Sequence, residues 1–192
     1  MTMLNVAPSR LPRTAMAALA VLALAFVGVA TAQADDIAFE VEILRVDLVR
    51  GEDGEPTERF VPVEEAIPGE IIEYRVTAVN EGDIIYRPGT VVVTLPIGEG
   101  VRYVEDSATP TSERWVIEFS ADGGQTFSEP PVLVPVGASA EDGAEDGDDA
   151  AVEGESDRRA AAPSEYDAIR WTFAEQFEPG QEELLTYRVE VQ

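Results

Sequence analysis

Beyond residue 35 the chain is written mostly in period two, apolar and polar residues alternating as they do in strands that bury one face. In "EIIEYRVTAVN", Ile72, Tyr74, Val76 and Ala78 fall on one side, with Glu73, Arg75 and Thr77 on the other. In "ELLTYRVEVQ", Leu185, Tyr187, Val189 and Val191 alternate with Thr186, Arg188 and Glu190. The run Ile37–Arg50 keeps Phe39, Val41 and Ile43 in phase, then shifts to Leu44, Val46 and Leu48. That shift predicts a bulge or bend between two pairings. Further strands are predicted over 59–63, 90–95, 101–104, 114–120 and 168–173, and at Phe127 together with 131–136. Turn formers separate them in "GEDGEP", "IPGE", "NEGD", "RPG", "PIGEG" and "EPGQ". Helical periodicity is absent apart from a turn or two near 163–168. Short strands at turn-punctuated intervals predict an all-β fold, a two-sheet antiparallel sandwich. Trp115, Phe119, Trp171 and Phe173 are expected in its core.

Two segments depart from this pattern. Residues 1–34 read as a signal peptide: Arg10 and Arg13 precede an apolar run from Ala15 to Ala30, and Ala32-Gln33-Ala34 follows as a cleavage site. The run is shorter than the roughly 20 residues of a spanning helix, so cleavage before Asp35 and no transmembrane segment in the mature chain are expected. The expected route is Sec-type export to the periplasm, cell envelope or medium, and the absence of Cys excludes a lipidated cysteine. Residues 35–192 then form one domain. Within it, residues 137–165 carry ten carboxylates against Arg158 and Arg159, with much Ala and Gly, and predict a disordered acidic loop inserted between strands.

Charge narrows the partners. The 192 residues hold 13 basic and 38 acidic side chains, and removing Arg10 and Arg13 leaves 11 against 38, a net charge of −27. Such a chain repels nucleic acid and anionic membrane surfaces, so a protein partner in the envelope is expected. Every basic residue is Arg, which reads as a composition bias, and without Cys the fold must be held by apolar burial.

The segments "PGEIIEYRVTAVNEGD" (Pro68–Asp83), "VVVTLPIGEGVRYVEDSATP" (Val91–Pro110), "IRWTF" (Ile169–Phe173) and "FEPGQEELLTYRVEVQ" (Phe177–Gln192) resemble, in this order, the DUF11 family. This is a conserved repeat of prokaryotic cell-surface and secreted proteins. The resemblance implies an immunoglobulin-like antiparallel β-sandwich present here as a single copy, and an envelope setting without catalytic residues.

A second, local resemblance lies at Ser120–Phe127. "SADGGQTF" fits the pattern S-x-D-x-G-x-T-[WF] and resembles the Asp-box hairpin of sialidases and other β-propellers. A propeller needs several such blades, so one copy predicts a hairpin between a strand ending at Ser120 and one starting at Phe127. An Asp carboxylate there accepts hydrogen bonds from turn amides, and Gly supplies positive φ.

The chemistry available is narrow. Without His, Cys or Lys, the commonest general base, the thiolate and the Schiff-base amine are missing. Paired carboxylates such as Glu64/Glu65 or Glu182/Glu183 arise by chance in so acidic a chain, and no catalytic residue is assigned. No cofactor is expected. The one ion to consider is calcium, bound weakly by the acidic loop through Asp142, Asp146, Asp148 and Asp149, although "EDGAEDGDD" lacks EF-hand spacing. The expectation is a non-enzymatic exported structural or protein-interaction module, docking through an exposed sheet edge. Its alternatives are calcium-dependent binding through the loop and glycan binding at the Asp-box hairpin.

Overall fold

Strands β3 (Ile71–Asn80) and β10 (Glu182–Val191) are the two most strongly alternating segments, and they pair antiparallel from Ile71 opposite Glu190 to Val79 opposite Glu182. The computed structural model describes residues 36–136 and 158–192. Around the central pair the sheet extends on one side through β1 (Ile37–Arg50) and β2 (Pro56–Pro62), and on the other through β5 (Val101–Tyr103), in the order β2-β1-β3-β10-β5. A second sheet has β9 (Ala168–Phe173) between β4 (Val92–Pro96) and β6 (Trp115–Ser120). A short ribbon pairs β7 (Leu133–Pro135) with β8 (Arg158–Ala160). All these pairings are antiparallel.

The sheets close on one apolar layer, as the alternation predicts. Tyr74, Val76, Leu185, Tyr187 and Val189 face Val93, Leu95, Trp115, Ile117, Phe119, Ile169, Trp171 and Phe173 in one buried cluster. Aromatic rings carry much of it. Tyr74 stacks on Tyr187 at 4.9 Å, Trp115 meets Phe173 edge-on at 4.7 Å, and Phe173 meets Phe177 at 4.9 Å. Such pairs add about 0.5–1.5 kcal/mol each beyond area burial. Trp171 is fully buried, and its indole N–H donates to the Thr109 carbonyl at 2.9 Å, tying the second sheet to the segment running beside β10.

Two expectations need correction. The phase shift in β1 does fall between two pairings, as expected, but without a bulge: Ile37–Arg45 pair with β3 and Leu44–Arg50 with β2, in registers that run without an extra residue. Apolar residues change face there because the core-side positions past Ile43 hold Arg45 and Asp47, which bond each other at 2.9 Å. The disordered loop expected over 137–165 also does not reach its predicted end. Residues 158–165 form β8 and a single 3-10 turn at Pro163–Glu165. Ala161 is buried there, and the Glu165 carboxylate bonds both Arg159 and the Ala162 N–H. These local bonds order a stretch whose composition resembles that of residues 137–157. Residues 137–157 lie outside the described residues.

A buried polar side chain fastens the end of β3. Asn80, fully buried, donates from its amide nitrogen to the carbonyls of Ile84 (2.8 Å) and Phe177 (3.0 Å) and accepts from the Gly82 N–H (3.1 Å). Gly82 is required because a Cβ would sit 2.4 Å from the Asp36 side chain. Asn80→Ala strands these backbone groups, and a loss of about 2–4 kcal/mol is expected in urea unfolding, with an unchanged slope.

Candidate functional site

The residues singled out from sequence do not converge. Asp142, Asp146, Asp148 and Asp149 lie outside the described residues, and among the described residues no group of three or more acidic side chains is placed to hold a metal ion. Glu182 and Glu183 are neighbours on one strand and therefore project to opposite faces. Glu183 is bonded to Arg114, with Glu175 at 3.8 Å from the same guanidinium. Glu64 and Glu65 lie in the connection after β2.

The Asp-box-like turn forms, and its carboxylate is saturated by the turn itself. Asp122 accepts from the Ser120 hydroxyl (2.9 Å), the Gln125 amide (3.0 Å), and the amide and hydroxyl of Thr126 (2.9 and 2.5 Å). Gly123 and Gly124 both take positive φ, 75° and 79°, to bring these donors round. The returning chain pairs with β6 only at Ser128, which exchanges two backbone bonds with Phe119 (2.9 and 3.1 Å). Phe127 lies under the Arg170 guanidinium at 4.2 Å instead of starting a strand, and Pro130 and Pro131 follow. The predicted returning strand is therefore reduced to one bridge and to β7.

The outward face of the large sheet carries an ion-pair network that sequence reasoning missed. Glu73, nearly buried, accepts from Arg75 (2.7 Å) and Arg188 (2.8 Å). Arg188 also grips Glu58 with two bonds of 2.7 Å, and Arg75 stacks over Phe60 at 4.2 Å. Glu58 and Glu73 hold the Arg188 guanidinium pKa above its ordinary value. The register puts these residues on neighbouring strands of one face, Glu73 beside both Leu44 and Arg188. The alternation hinted at that face, but only the strand order makes Glu58, Glu73 and Arg188 neighbours. All four groups are engaged with one another, so the network reads as a clamp holding β2 to the sheet.

The sheet edges differ in what they leave open. In an antiparallel ladder, the N–H and C=O of one residue point to the same side, and successive residues alternate. The bond from the Val63 N–H to the Ile43 carbonyl fixes the odd residues of β1 toward β2, and that from Glu81 to Asp36 fixes the even residues toward β3. On β2 the outward positions are therefore Pro56, Glu58, Phe60 and Pro62, two of which have no N–H. On β4 they are Val92, Thr94 and Pro96, again ending in a proline. The free side of β6 is filled by Ser128 on Phe119, by Ser112 on Trp115 and by the Thr111 hydroxyl on Ile117.

The N-terminal half of β1 is different. β2 leaves β1 after Val63, so Ile37, Phe39 and Val41 turn three N–H and three C=O groups outward, with no hydrogen-bond partner among the described residues and no proline. Phe39 lies on the core-facing side yet is 45% exposed. Glu40 and Glu42 are exposed on the other face, and neither has an ion-pair partner among the described residues. Among the described residues this is the longest open stretch of strand edge, and such an edge is suited to contact another chain.

No family model matches the chain, and no curated protein or solved structure matches it either. Among the described residues, no helix is long and apolar enough to cross a membrane.

The turn at Asp122 makes a pH prediction. Burial raises the Asp122 pKa, but the Thr126 hydroxyl and amide, the Ser120 hydroxyl and the Gln125 amide outweigh it and hold the group below the ordinary aspartate range. A depressed folded pKa contributes stability that is present above the unfolded value and is lost as pH falls through the folded one. Asp122→Ala is expected to lower stability by about 1 kcal/mol at pH 7, with the gap from the parent narrowing below about pH 4. Paired urea titrations across that range measure it.

Proposed function

We propose that the chain is an exported, non-enzymatic module that works in the periplasm, cell envelope or medium by binding another protein along a sheet edge. The observation that carries this reading is the open half of β1, where Ile37, Phe39 and Val41 turn unpaired backbone groups outward, while prolines blunt β2 and β4 and the free side of β6 is filled. Exposed edges recruit extended segments because each added residue pairs main-chain groups regardless of its side chain. The all-β antiparallel sandwich is compatible with the immunoglobulin-like repeat that the DUF11 resemblance implies, and that resemblance supports an envelope setting. The leader-like pattern of residues 1–34 supports export. The absence of His, Cys and Lys and the engagement of Asp122, Glu73 and Glu183 in structural bonds favour binding over catalysis.

Two measurements test the proposal in the producing cells. Mass spectrometry of the protein from the exported fraction is expected to find Asp35 as the first residue, and in-cell cross-linking is expected to trap a defined protein species. A chain retained in the cytoplasm with residues 1–34 intact, or one that cross-links to nothing above background, would discard the reading.

A further inference from the structure

We propose that the open edge of β1 accepts one short extended segment of a partner protein in which Arg or Lys alternates with apolar residues. This rests on the interaction reading above and names the site and the chemistry of its occupant. The length follows from the register. Val63 already occupies the Ile43 carbonyl, so a guest strand can run only along residues 37–41, collinear with β2 and no more than about five residues long.

The side chains set the pattern. A guest beside β1 projects its residues alternately to the two faces of the sheet. On the core-facing side they meet Phe39 and Val41, whose apolar surface the second sheet leaves partly uncovered. On the outer side they meet Ala38, Glu40 and Glu42, and the two carboxylates lack cationic partners among the described residues. Apolar residues complement the first face and basic residues the second.

The same charges argue against a second copy of this chain as the occupant. Antiparallel pairing of two β1 edges over residues 37–41 would set Glu42 opposite Asp36 and Glu40 diagonal to its counterpart, and like charges so placed destabilise a strand pair. The mature net charge of −27, from 11 basic and 38 acidic residues, adds long-range repulsion between copies while attracting a basic segment. Glutamates on an edge without proline thus exclude self-association and leave the backbone open to a cationic guest.

The test uses the purified protein and the peptide acetyl-Val-Arg-Val-Arg-Val-amide, with hydrogen exchange and titration as readouts. Binding is expected, with new protection at the amides of Ile37, Phe39 and Val41. Phe39→Pro removes one outward N–H without touching the β3 ladder and is expected to weaken binding about tenfold, whereas Phe39→Val, which keeps the donor, stays within about threefold. Glu40→Gln with Glu42→Gln is expected to weaken it several-fold and to flatten its salt dependence. Should Phe39→Pro melt the domain, the peptide N-methylated on its β1-facing amides replaces it and is expected not to bind. The proposal is overturned if the peptide does not bind, if neither Phe39→Pro nor N-methylation weakens it, or if those three amides are already protected in the free protein. It is also overturned if the protein forms a dimer that Phe39→Pro dissociates. If the edge fails while in-cell cross-linking still traps a partner, the interaction reading stands and only this edge is discarded.

Discussion

The parity of the antiparallel ladder is the constraint on which the rest of this molecule depends. Each residue commits its side chain to one face and its N–H and C=O to one edge, and neighbours take the opposite assignment. In β3 that rule sends Ile72, Tyr74 and Val76 to the core while alternate amides serve β1 and β10. In β1 it sends the even residues to β3 and leaves the odd ones to β2, so the point where β2 departs decides which backbone groups stay open. Core, outer network and vacant edge are therefore three consequences of one register.

What holds that register is burial, since no disulfide is available. The rings of Tyr74, Tyr187, Trp171, Phe173 and Phe177 form a nearly continuous layer between the sheets. Fully buried Tyr and Trp side chains need partners for their polar ends, and Trp171 finds one in Thr109, on the irregular chain that continues β5 along β10. The aromatic layer and the loops are thus joined by hydrogen bonds. Asn80 does the same at the opposite end of β3, drawing Ile84 and Phe177 onto the sheet.

The strands were legible because half-buried antiparallel strands announce themselves by period two. β9 falls where the alternation puts it, β3 and β10 begin within a residue of it, and Trp115, Phe119, Trp171 and Phe173 lie in the core as expected. β8 was hidden because Arg158 and Arg159 continue the polar composition of the insertion. Only pairing with β7 and the contact of Arg159 with Glu165 distinguish them. The phase shift of β1 was visible, but its cause was not: Arg45 and Asp47 satisfy each other on the inner face, so an apolar pattern is not needed there. Sheet order was beyond reach of any local pattern, and with it the clamp of Glu58, Glu73 and Arg188 and the open edge at Phe39.

The ribbon of β7 and β8 has a topological effect on the segment it encloses. Pro135 pairs with Arg158, so the chain between them leaves and re-enters the domain at one closed stem. Closing a flexible loop costs entropy that grows only with the logarithm of its length, about 0.6 kcal/mol for each doubling. The stem of β7 and β8 thus holds the two ends of this segment side by side whatever joins them.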